Sequence, residues 1–286
     1  TDGRLHTTFN QTGTSTGRLS SSNPNLQNIP ILSEYGREVR KAFIAKKGFL
    51  LVSFDYSQIE LRVAAHMAHD EKMIEAFRSG ADIHAMTAAV VYHVPPEKVT
   101  PELRRAAKTL NFGVLYGMGQ NAFAEATGFS RVEAKRFIGE YFRDFSGIAR
   151  FIGATKEFAA EHGYVETLFG RRRYIPEIFS PNWQIRREAE RMAINHPIQG
   201  TATGDIIKLA MVRVYEWVHG KKLEERIRML LQVHDELVFE IAEDRAQKSI
   251  PEMRRIMESV ADLDVPLVVD VKAGYNWGEQ KKFSRT

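Results

Sequence analysis

The stretch SFDYSQIELR, residues 53–62, is where an extended pattern changes into a helical one. The apolar run from Phe49 to Phe54 predicts a buried strand that ends at Asp55. Ser57 and Glu60 have the spacing of a capping box, and the apolar positions that follow continue one helical face. The sequence therefore predicts a strand, an acidic residue at its end and a helix in direct succession.

Outward from this stretch, the patterns predict an α+β fold. Residues before about 47 are rich in polar turn residues and predict loops, whereas residues 70 to 160 are mainly helical in pattern. Further along the chain we expect a hairpin over 163–175, helix over 183–219, strands on both sides of His234-Asp235, a helix over 244–260 and a strand over 267–271 that ends the fold. Together these elements make a small, mostly antiparallel sheet interrupted by a helical insertion.

The composition is that of an ordinary globular protein of 286 residues, with 43% apolar and 27% charged residues. No apolar run reaches the length of a membrane span, so we expect no membrane partner. The absence of cysteine excludes disulfides, zinc-thiolate sites and cysteine nucleophiles, and we expect a reducing, cytoplasmic location. The net charge of +4 decides little about partners. Because the chain opens on Thr1 and a polar stretch, we interpret it as a fragment of a longer protein.

Two aspartates stand where strands are predicted to end. Asp55 closes the first strand, and Asp235 lies in the tight connection between two others, directly before Glu236. Carboxylates in such places are suitable hard ligands for magnesium in phosphoryl transfer, with substrate phosphates completing the coordination shell. Taken alone, either aspartate is more often an ordinary turn residue. The adjacent pair Asp235-Glu236 is less ordinary, because neighbouring carboxylates repel each other unless a cation joins them.

A second pattern lies on the helix that Thr100 would cap, with Pro101 at its first position and Gly117 at its end. Four side chains at steps of four share one drifting face of this helix: Arg104, Lys108, Phe112 and Tyr116. Two cations suit a triphosphate, and two aromatic rings suit a base and a sugar. The alternative is a solvated basic turn followed by core aromatics.

Two polar stretches have the composition of nucleic-acid contacts. One is the loop around Arg18 with the segment 25–28 that follows it, where amide and hydroxyl groups could reach phosphates or minor-groove acceptors. The other is the run Arg171-Arg172-Arg173. Either could equally be an ordinary surface loop or a solvated charge run. The sequence has no Walker-type phosphate loop, no zinc spacing and no nucleophile elbow.

Seven segments in one order carry a resemblance over nearly the whole chain. They are TGRLSS, PNLQNIP, SFDYSQIELR (53–62), RRAAKTLNFGVLYG (104–117), GYVETLFGRRRYIP, NHPIQGTA and LLQVHDE (230–236). Together they resemble the motifs of DNA polymerase I, family A. The resemblance implies a template-directed DNA polymerase of right-hand architecture without its thumb, with the palm over 1–65 and 196–286 and the fingers over 66–195.

The resemblance also implies a role for each matched residue. Asp55 and Asp235 would bind two Mg²⁺ ions, with help from the Tyr56 carbonyl and support from Glu236, and Lys108 would donate a proton to pyrophosphate. The residues implied for the nucleotide are Arg104, Lys108, Phe112, Tyr116, Gln58, Glu60 and His84. Those implied for primer or template are Arg18, Asn25, Gln27, Asn28, Arg191, Asn195, Gln199 and His234.

Some of these implied roles are specific. Phe112 would stack on the incoming nucleotide, Tyr116 would guard the template position, and Glu60 would block a ribose 2′-hydroxyl group. The implied partners are primer-template DNA and dNTPs, and we expect a monomer. Two other functions stay open: a single-subunit RNA polymerase-like enzyme, which an acid at position 60 argues against, and a non-catalytic DNA-binding relative.

The sequence departs from the family's pattern in two places. Thr203-Gly204-Asp205 carries one residue more than the usual run, and we expect a helix bulge to absorb it. Leu32 stands after Ile31 where many members have arginine, so one backbone contact with DNA is expected to be missing.

Overall fold

The chain, seen in a computed structural model, is described over residues 2–30 and 33–284. The departure at Ile31-Leu32 lies outside these described residues. Two compact units are present. Unit 1 comprises Thr1–Ile59, Ala202–Asp262 and Leu267–Thr286, and unit 2 comprises Glu60–Thr201 and Leu263–Pro266. No helix in the described part of the chain is long and apolar enough to span a membrane.

Nine strands are present among the described residues. In chain order they are β1 Thr8–Asn10, β2 Ser20–Ser22, β3 Phe49–Tyr56, β4 Tyr164–Glu166, β5 Arg172–Tyr174, β6 Ile227–Val233, β7 Glu236–Ala242, β8 Val269–Gly274 and β9 Lys281–Lys282. Unit 1 holds a five-stranded sheet in the order β6-β7-β3-β8-β9, in which every pair is antiparallel. The pairs β1-β2 and β4-β5 are separate antiparallel ribbons.

Eleven α-helices complete the described fold. They are α1 Glu34–Lys41, α2 Ile59–Met67, α3 Glu71–Arg78, α4 Ile83–Val91, α5 Pro101–Leu115, α6 Gln120–Thr127, α7 Arg131–Asp144, α8 Ser146–His162, α9 Trp183–Gln199, α10 Ile207–Gly220 and α11 Glu243–Glu258. The expected α+β class, with a mostly antiparallel sheet and a helical insertion, is confirmed. Helices α2 to α9 make up most of unit 2.

The central strand β3 is apolar because both of its faces are covered. Val52 and Phe54 are fully buried on one face of the strand, Leu51 is buried with Val238 and Trp277 on the other, and α11 packs against β3, β7 and β8. A strand buried on both faces is expected to be a continuous apolar run rather than an alternating one. The packing therefore fixes the backbone that carries Asp55 at the end of β3.

Two local expectations were wrong. Helix α1 lies in the segment that the sequence predicted as loop; its apolar face is weak, and Ser33 begins it by accepting a hydrogen bond from the Gly36 N–H group. The sheet also continues past β8, because the short strand β9 pairs with it. Neither element has the apolar periodicity on which the sequence prediction depended.

The expected helix bulge is confirmed. A π-helix, Gly200–Ile206, lies between α9 and α10 and contains the whole departure at 203–205. A single π turn accommodates one extra residue without ending the helix.

Candidate active site

The acidic end of β3 lies opposite acids on both neighbouring strands. Asp55 faces Glu236 on β7 and Asp270 on β8 in the strand register. Directly opposed residues of antiparallel strands carry their side chains on the same face of the sheet. The turn before β7 is tied to the same place, because the Tyr56 N–H group donates to the carbonyl oxygen of Asp235 at 3.1 Å. Unit 1 therefore gathers acidic residues at one edge of its sheet.

Crowding and burial change the charge state of this edge. Burial, and next the negative charges of Asp235 and Glu236, raise the pKa of Asp55 to about 7, against a smaller opposing effect of Lys272. A partly buried carboxyl among like charges ionises readily only when a cation joins it. No group of three or more His, Cys, Asp or Glu among the described residues is arranged to hold a metal ion.

Glu236 at this edge has a second set of contacts. Its Oε1 accepts a hydrogen bond of 3.2 Å from the indole Nε1 of Trp277, and the guanidinium carbon of Arg40 lies 4.0 Å from the centre of that indole ring. Burial lowers the pKa of Arg40, and the charge of Glu236 partly offsets this. These contacts suit a supporting role for Glu236 better than a direct one.

Sequence reasoning missed several residues at this edge. Asp270 and Lys272 alternate with buried valines along β8, a pattern that predicts a strand with one polar face. The sequence does not show which strand they pair with. Trp277 and Arg40 carry no local signal, since each reaches the site only through the fold.

The turn between β6 and β7 is supported by a chain of amides. His234 is exposed and has φ 56°, a left-handed conformation suited to a two-residue hairpin turn. Its carbonyl oxygen accepts from Gln232 Nε2 at 2.6 Å, and Gln232 Oε1 accepts from Gln27 Nε2 at 2.8 Å. Asn25 Oδ1 in turn accepts from the Gln27 N–H group at 3.0 Å. Gln27 and Asn25 therefore brace the turn, whereas Asn28 is exposed.

The π-helix packs against the loop that carries Arg18. Arg18 Nε donates a hydrogen bond of 2.6 Å to Thr203 Oγ1. A Cβ atom at Gly204 would lie 2.6 Å from the carbonyl oxygen of Thr16, so only glycine allows this approach. The extra residue of the bulge thus lies where it helps to hold the Arg18 side chain in place.

In unit 2, the predicted limits of α5 are confirmed. Thr100 Oγ1 accepts from the Leu103 N–H group at 3.3 Å, Pro101 is the first helical residue, and Gly117 follows the end of the helix with φ 66°. On the face predicted for the nucleotide, Arg104 Nε donates to Asp82 Oδ2 at 2.7 Å and the Lys108 side chain is exposed.

His84 lies behind Phe112. It is 2% exposed, its Nδ1 lies 2.9 Å from Asn111 Nδ2, and its ring centre is 5.9 Å from that of Phe112. Burial, and next the positive charge of Arg104, lower the pKa of His84 to about 4. The imidazole is therefore neutral near pH 7, and Nδ1 accepts the amide hydrogen of Asn111.

Glu60 is held by Tyr116, which lies 56 residues further along the chain. Helix α2 begins at Ile59, and Gln58 before it has φ 54°, a left-handed turn between Ser57 and the helix. The carboxylate Oε2 of Glu60 accepts a hydrogen bond from the Tyr116 hydroxyl group.

The α9 residues predicted to contact DNA share one face. Arg191, Asn195 and Gln199 follow one another at steps of four. Asn195 Oδ1 is buried and has no hydrogen-bond partner among the described residues, an arrangement that a bound ligand often explains. A cavity of about 890 Å³ lies at one end of this face, bordered by Tyr116 and Arg191.

Comparison with known proteins shows the family to which the chain belongs. The pattern that defines DNA polymerase family A matches residues 1–279. The chain belongs to DNA polymerase family A. This family A chain is 51% identical over 280 residues to a thermostable DNA polymerase I of Thermus filiformis, covering 98% of the chain and 33% of that relative. It is 54% identical over 280 residues to the DNA polymerase I of Deinococcus radiodurans, covering 98% and 29%.

A solved structure supports the same family. The POL domain of Pol1 from M. smegmatis, in complex with a DNA primer-template and dNTP, matches with a TM-score of 0.93 and 46% identity, over 97% of this chain and 49% of that one. The family A chain thus spans about a third of the length of the curated relatives and about half of the solved one.

Proposed function

We propose that this family A chain catalyses template-directed DNA synthesis from dNTPs on a primer 3′-hydroxyl group, with release of pyrophosphate. The observation that carries the proposal is that one chain holds both the Asp55–Asp235 edge, in unit 1, and the cationic and aromatic face of α5, in unit 2. The primer-template and dNTP bound to the related solved structure support the same partners here. A monomer in the cytoplasm remains our expectation.

We assign the palm to unit 1 and the fingers to unit 2. The limits inferred from the sequence are 1–65 and 196–286 for the palm and 66–195 for the fingers. In this assignment the sheet carries the acids, and the helical insertion carries the groups for the nucleotide. A rigid sheet suits ligands that must stay in place.

The acidic edge fits divalent metal ions, and we propose two Mg²⁺ ions held by Asp55, Asp235 and the Tyr56 carbonyl oxygen. The donors are hard oxygens, as Mg²⁺ prefers. The raised pKa of Asp55 among like charges is what a site built around a cation shows when only protein charges act. The shell that the side chains leave incomplete suits substrate oxygens. When bound, the ions would make the attacking oxygen more nucleophilic and stabilise the leaving phosphate.

The protein's own groups bind and orient the nucleotide in this mechanism. Arg104 and Lys108 hold the triphosphate, and Phe112 stacks on the base with His84 packed behind it. The primer 3′-hydroxyl group gives up its proton to solvent, and its oxygen forms a bond to the α-phosphorus as the bond to the pyrophosphate oxygen breaks. Lys108 donates a proton to that departing oxygen and takes one back from solvent. A role in nucleotide binding is also proposed for Gln58.

Glu60 would exclude ribonucleotides by filling the space of a 2′-hydroxyl group. The hydrogen bond from Tyr116 fixes the carboxylate, so that the side chain cannot simply rotate away. We also propose that Tyr116 guards the template position, a role that its aromatic ring suits.

DNA contacts close to the new base pair are proposed for residues from both units. Arg18, held by Thr203, and the exposed His234 belong to unit 1, and Asn195 and Gln199 belong to unit 2. Such side chains can read the minor-groove acceptors that all correct base pairs share. Arg191, Asn25, Gln27 and Asn28 complete the proposed set, although Gln27 and Asn25 also brace the hairpin turn.

Primer extension tests the proposed function. The chain is incubated with a primer-template and dNTPs, with rNTPs instead, and with dNTPs plus EDTA. We expect templated extension with dNTPs and none in the other two reactions. Efficient extension with rNTPs would favour an RNA polymerase-like activity. DNA binding without any extension would favour a non-catalytic relative.

A further inference from the structure

Trp183 begins helix α9 with most of its ring in solvent. The side chain is 58% exposed. Exposed tryptophan is uncommon unless it serves an interaction, since a buried ring contributes much more to stability. The proposed activity assigns no role to this residue.

The ring stands at the start of a row of side chains that winds slowly around α9. Residues at steps of four are neighbours about 6 Å apart along the axis, and each step turns the row by about 40° around the helix. The row consists of Trp183, Arg187, Arg191, Asn195 and Gln199. Its last three members are those proposed above for DNA. Trp183 lies about two helical turns along the axis and about 80° around it from Arg191, with Arg187 between them.

The two arginines of the row rest on the backbone of the loop after α5. A Cβ atom at Gly117 would lie 2.8 Å from Arg191 Cγ, and one at Gly119 would lie 3.3 Å from Arg187 Nη2. The absence of side chains at these glycines lets α9 approach the loop closely. The same arginines and glycines border the 890 Å³ cavity beside Tyr116.

Arg187 also connects the cavity with the exposed ring. Its guanidinium carbon lies 5.1 Å from the centre of the Trp183 ring, within the range of a cation–π contact. The cation holds the ring in place beside the cavity and supplies positive charge where a phosphate would pass. Proteins that bind single-stranded nucleic acids stack the bases on aromatic rings, with cations beside them for the phosphates.

We propose that Trp183 and Arg187 form a stacking subsite for an unpaired base of the template strand, beyond the cavity that borders Tyr116. This subsite rests on the proposed function for its ligand, a single-stranded nucleic acid. Nucleic acid is favoured over an acidic peptide, because Arg187 borders the same cavity as Arg191, which the amide side chains of Asn195 and Gln199 follow on α9, and amides suit bases rather than carboxylates.

The test measures how much an unpaired template contributes to binding. Dissociation constants are determined for primer-templates with about six unpaired template nucleotides and with a single one, a range that spans a short single-strand site. We expect the wild-type chain to prefer the longer overhang. Trp183→Ala should reduce this preference by about fivefold or more, because base stacking contributes that much per ring. Trp183→Phe, which keeps a ring, should retain most of it.

Arg187→Gln should also reduce the preference. Two variants serve as matched controls. Ile185→Ala removes another exposed apolar side chain, 45% exposed, that lies about 200° around the same helix. Arg150→Gln removes an exposed cation on α8 whose Nη1 donates a hydrogen bond to the hydroxyl oxygen of Ser146 in the same helix. Neither control should alter the ratio of the two dissociation constants.

Fluorescence gives an independent measurement. The chain has three tryptophans, and Trp277 is only 4% exposed. Stacked bases quench tryptophan emission, so the long overhang should quench the wild-type chain more than the short one, and Trp183→Phe should remove that difference. Because Trp183 is largely exposed, its variants are expected to fold, and thermal unfolding checks this.

Equal preferences for the long overhang in the wild-type chain and in Trp183→Ala would overturn the proposal, as would an effect of Trp183→Ala confined to an acidic peptide. The outcome is separable from that of the proposed function. If the chain extends primers but its preference for the long overhang is the same in Trp183→Ala, the subsite alone is refuted. A Trp183-dependent preference without extension would refute the activity alone.

Discussion

The hydrogen bond between Tyr116 and Glu60 should make a measurable contribution to the stability of the chain. A hydrogen bond to a charged group contributes about 1.5–3 kcal/mol to stability. Both side chains are only partly buried, so we expect the lower end of this range. Glu60→Ala and Tyr116→Phe should therefore each destabilise the chain, and a double-mutant cycle by urea unfolding should give a coupling of about 1.5 kcal/mol.

The same contact should also affect the selection of deoxyribonucleotides over ribonucleotides. Glu60→Ala removes the bulk below the 2′ position, so the ratio of kcat/KM for dNTP over rNTP should fall strongly. Glu60→Gln keeps the bulk and an acceptor for Tyr116, and should lose much less. Tyr116→Phe leaves the carboxylate in place but frees it to rotate, so its ratio should lie between those of the two Glu60 variants.

The control for both measurements is Glu125→Ala, which removes an exposed carboxylate from α6 in the same unit. Its stability and its selection ratio should match those of the wild-type chain. Additive stabilities in the cycle, within about 0.5 kcal/mol, would show that the two side chains do not interact. A selection ratio unaffected by Glu60→Ala would refute the gate itself.

Three further predictions concern other parts of the site. Because the folded-state pKa of His84 is about 4 and its ordinary value is 6.5, stability should be complete above pH 6.5 and fall by about 3 kcal/mol as the pH drops toward 4. An NMR titration in which His84 protonates near 6.5 would contradict this. Thr203→Val removes the acceptor for Arg18 and should raise KM for DNA about two- to tenfold, while Thr203→Ser should not; equal KM values in both variants would refute the positioning role. Lys108→Gln should lower the single-turnover rate about a hundredfold or more if Lys108 is the proton donor, with the exposed Lys98→Gln as control, and a rate like that of the control would exclude the role.

Features set by neighbouring residues were predicted well from the sequence. Thr100, Pro101 and Gly117 defined the limits of α5, because caps and helix ends depend on local backbone preferences. The π-helix at Gly200–Ile206 followed from one surplus residue in a helical run. The position of Asp55 at the end of β3 followed from the apolar run before it.

Features set by distant pairing were not predictable in the same way. Asp270 lies opposite Asp55 only because β8 pairs with β3 in one particular register. Trp277 reaches Glu236 from 41 residues further along the chain. The contact of Tyr116 with Glu60 spans 56 residues, and the spacing of Ser57 and Glu60 gave no sign of it.

The central claim, that Asp55 and Asp235 carry the chemistry, is tested most directly by replacing each with asparagine and measuring primer extension and DNA binding in parallel. Asparagine keeps the size of each side chain and removes the charge that a metal ion needs. The exposed Asp262→Asn in the same unit is the matched control. The account predicts that both active-site variants lose extension while binding primer-template about as well as the control. Measurable extension by either variant at saturating magnesium would contradict it.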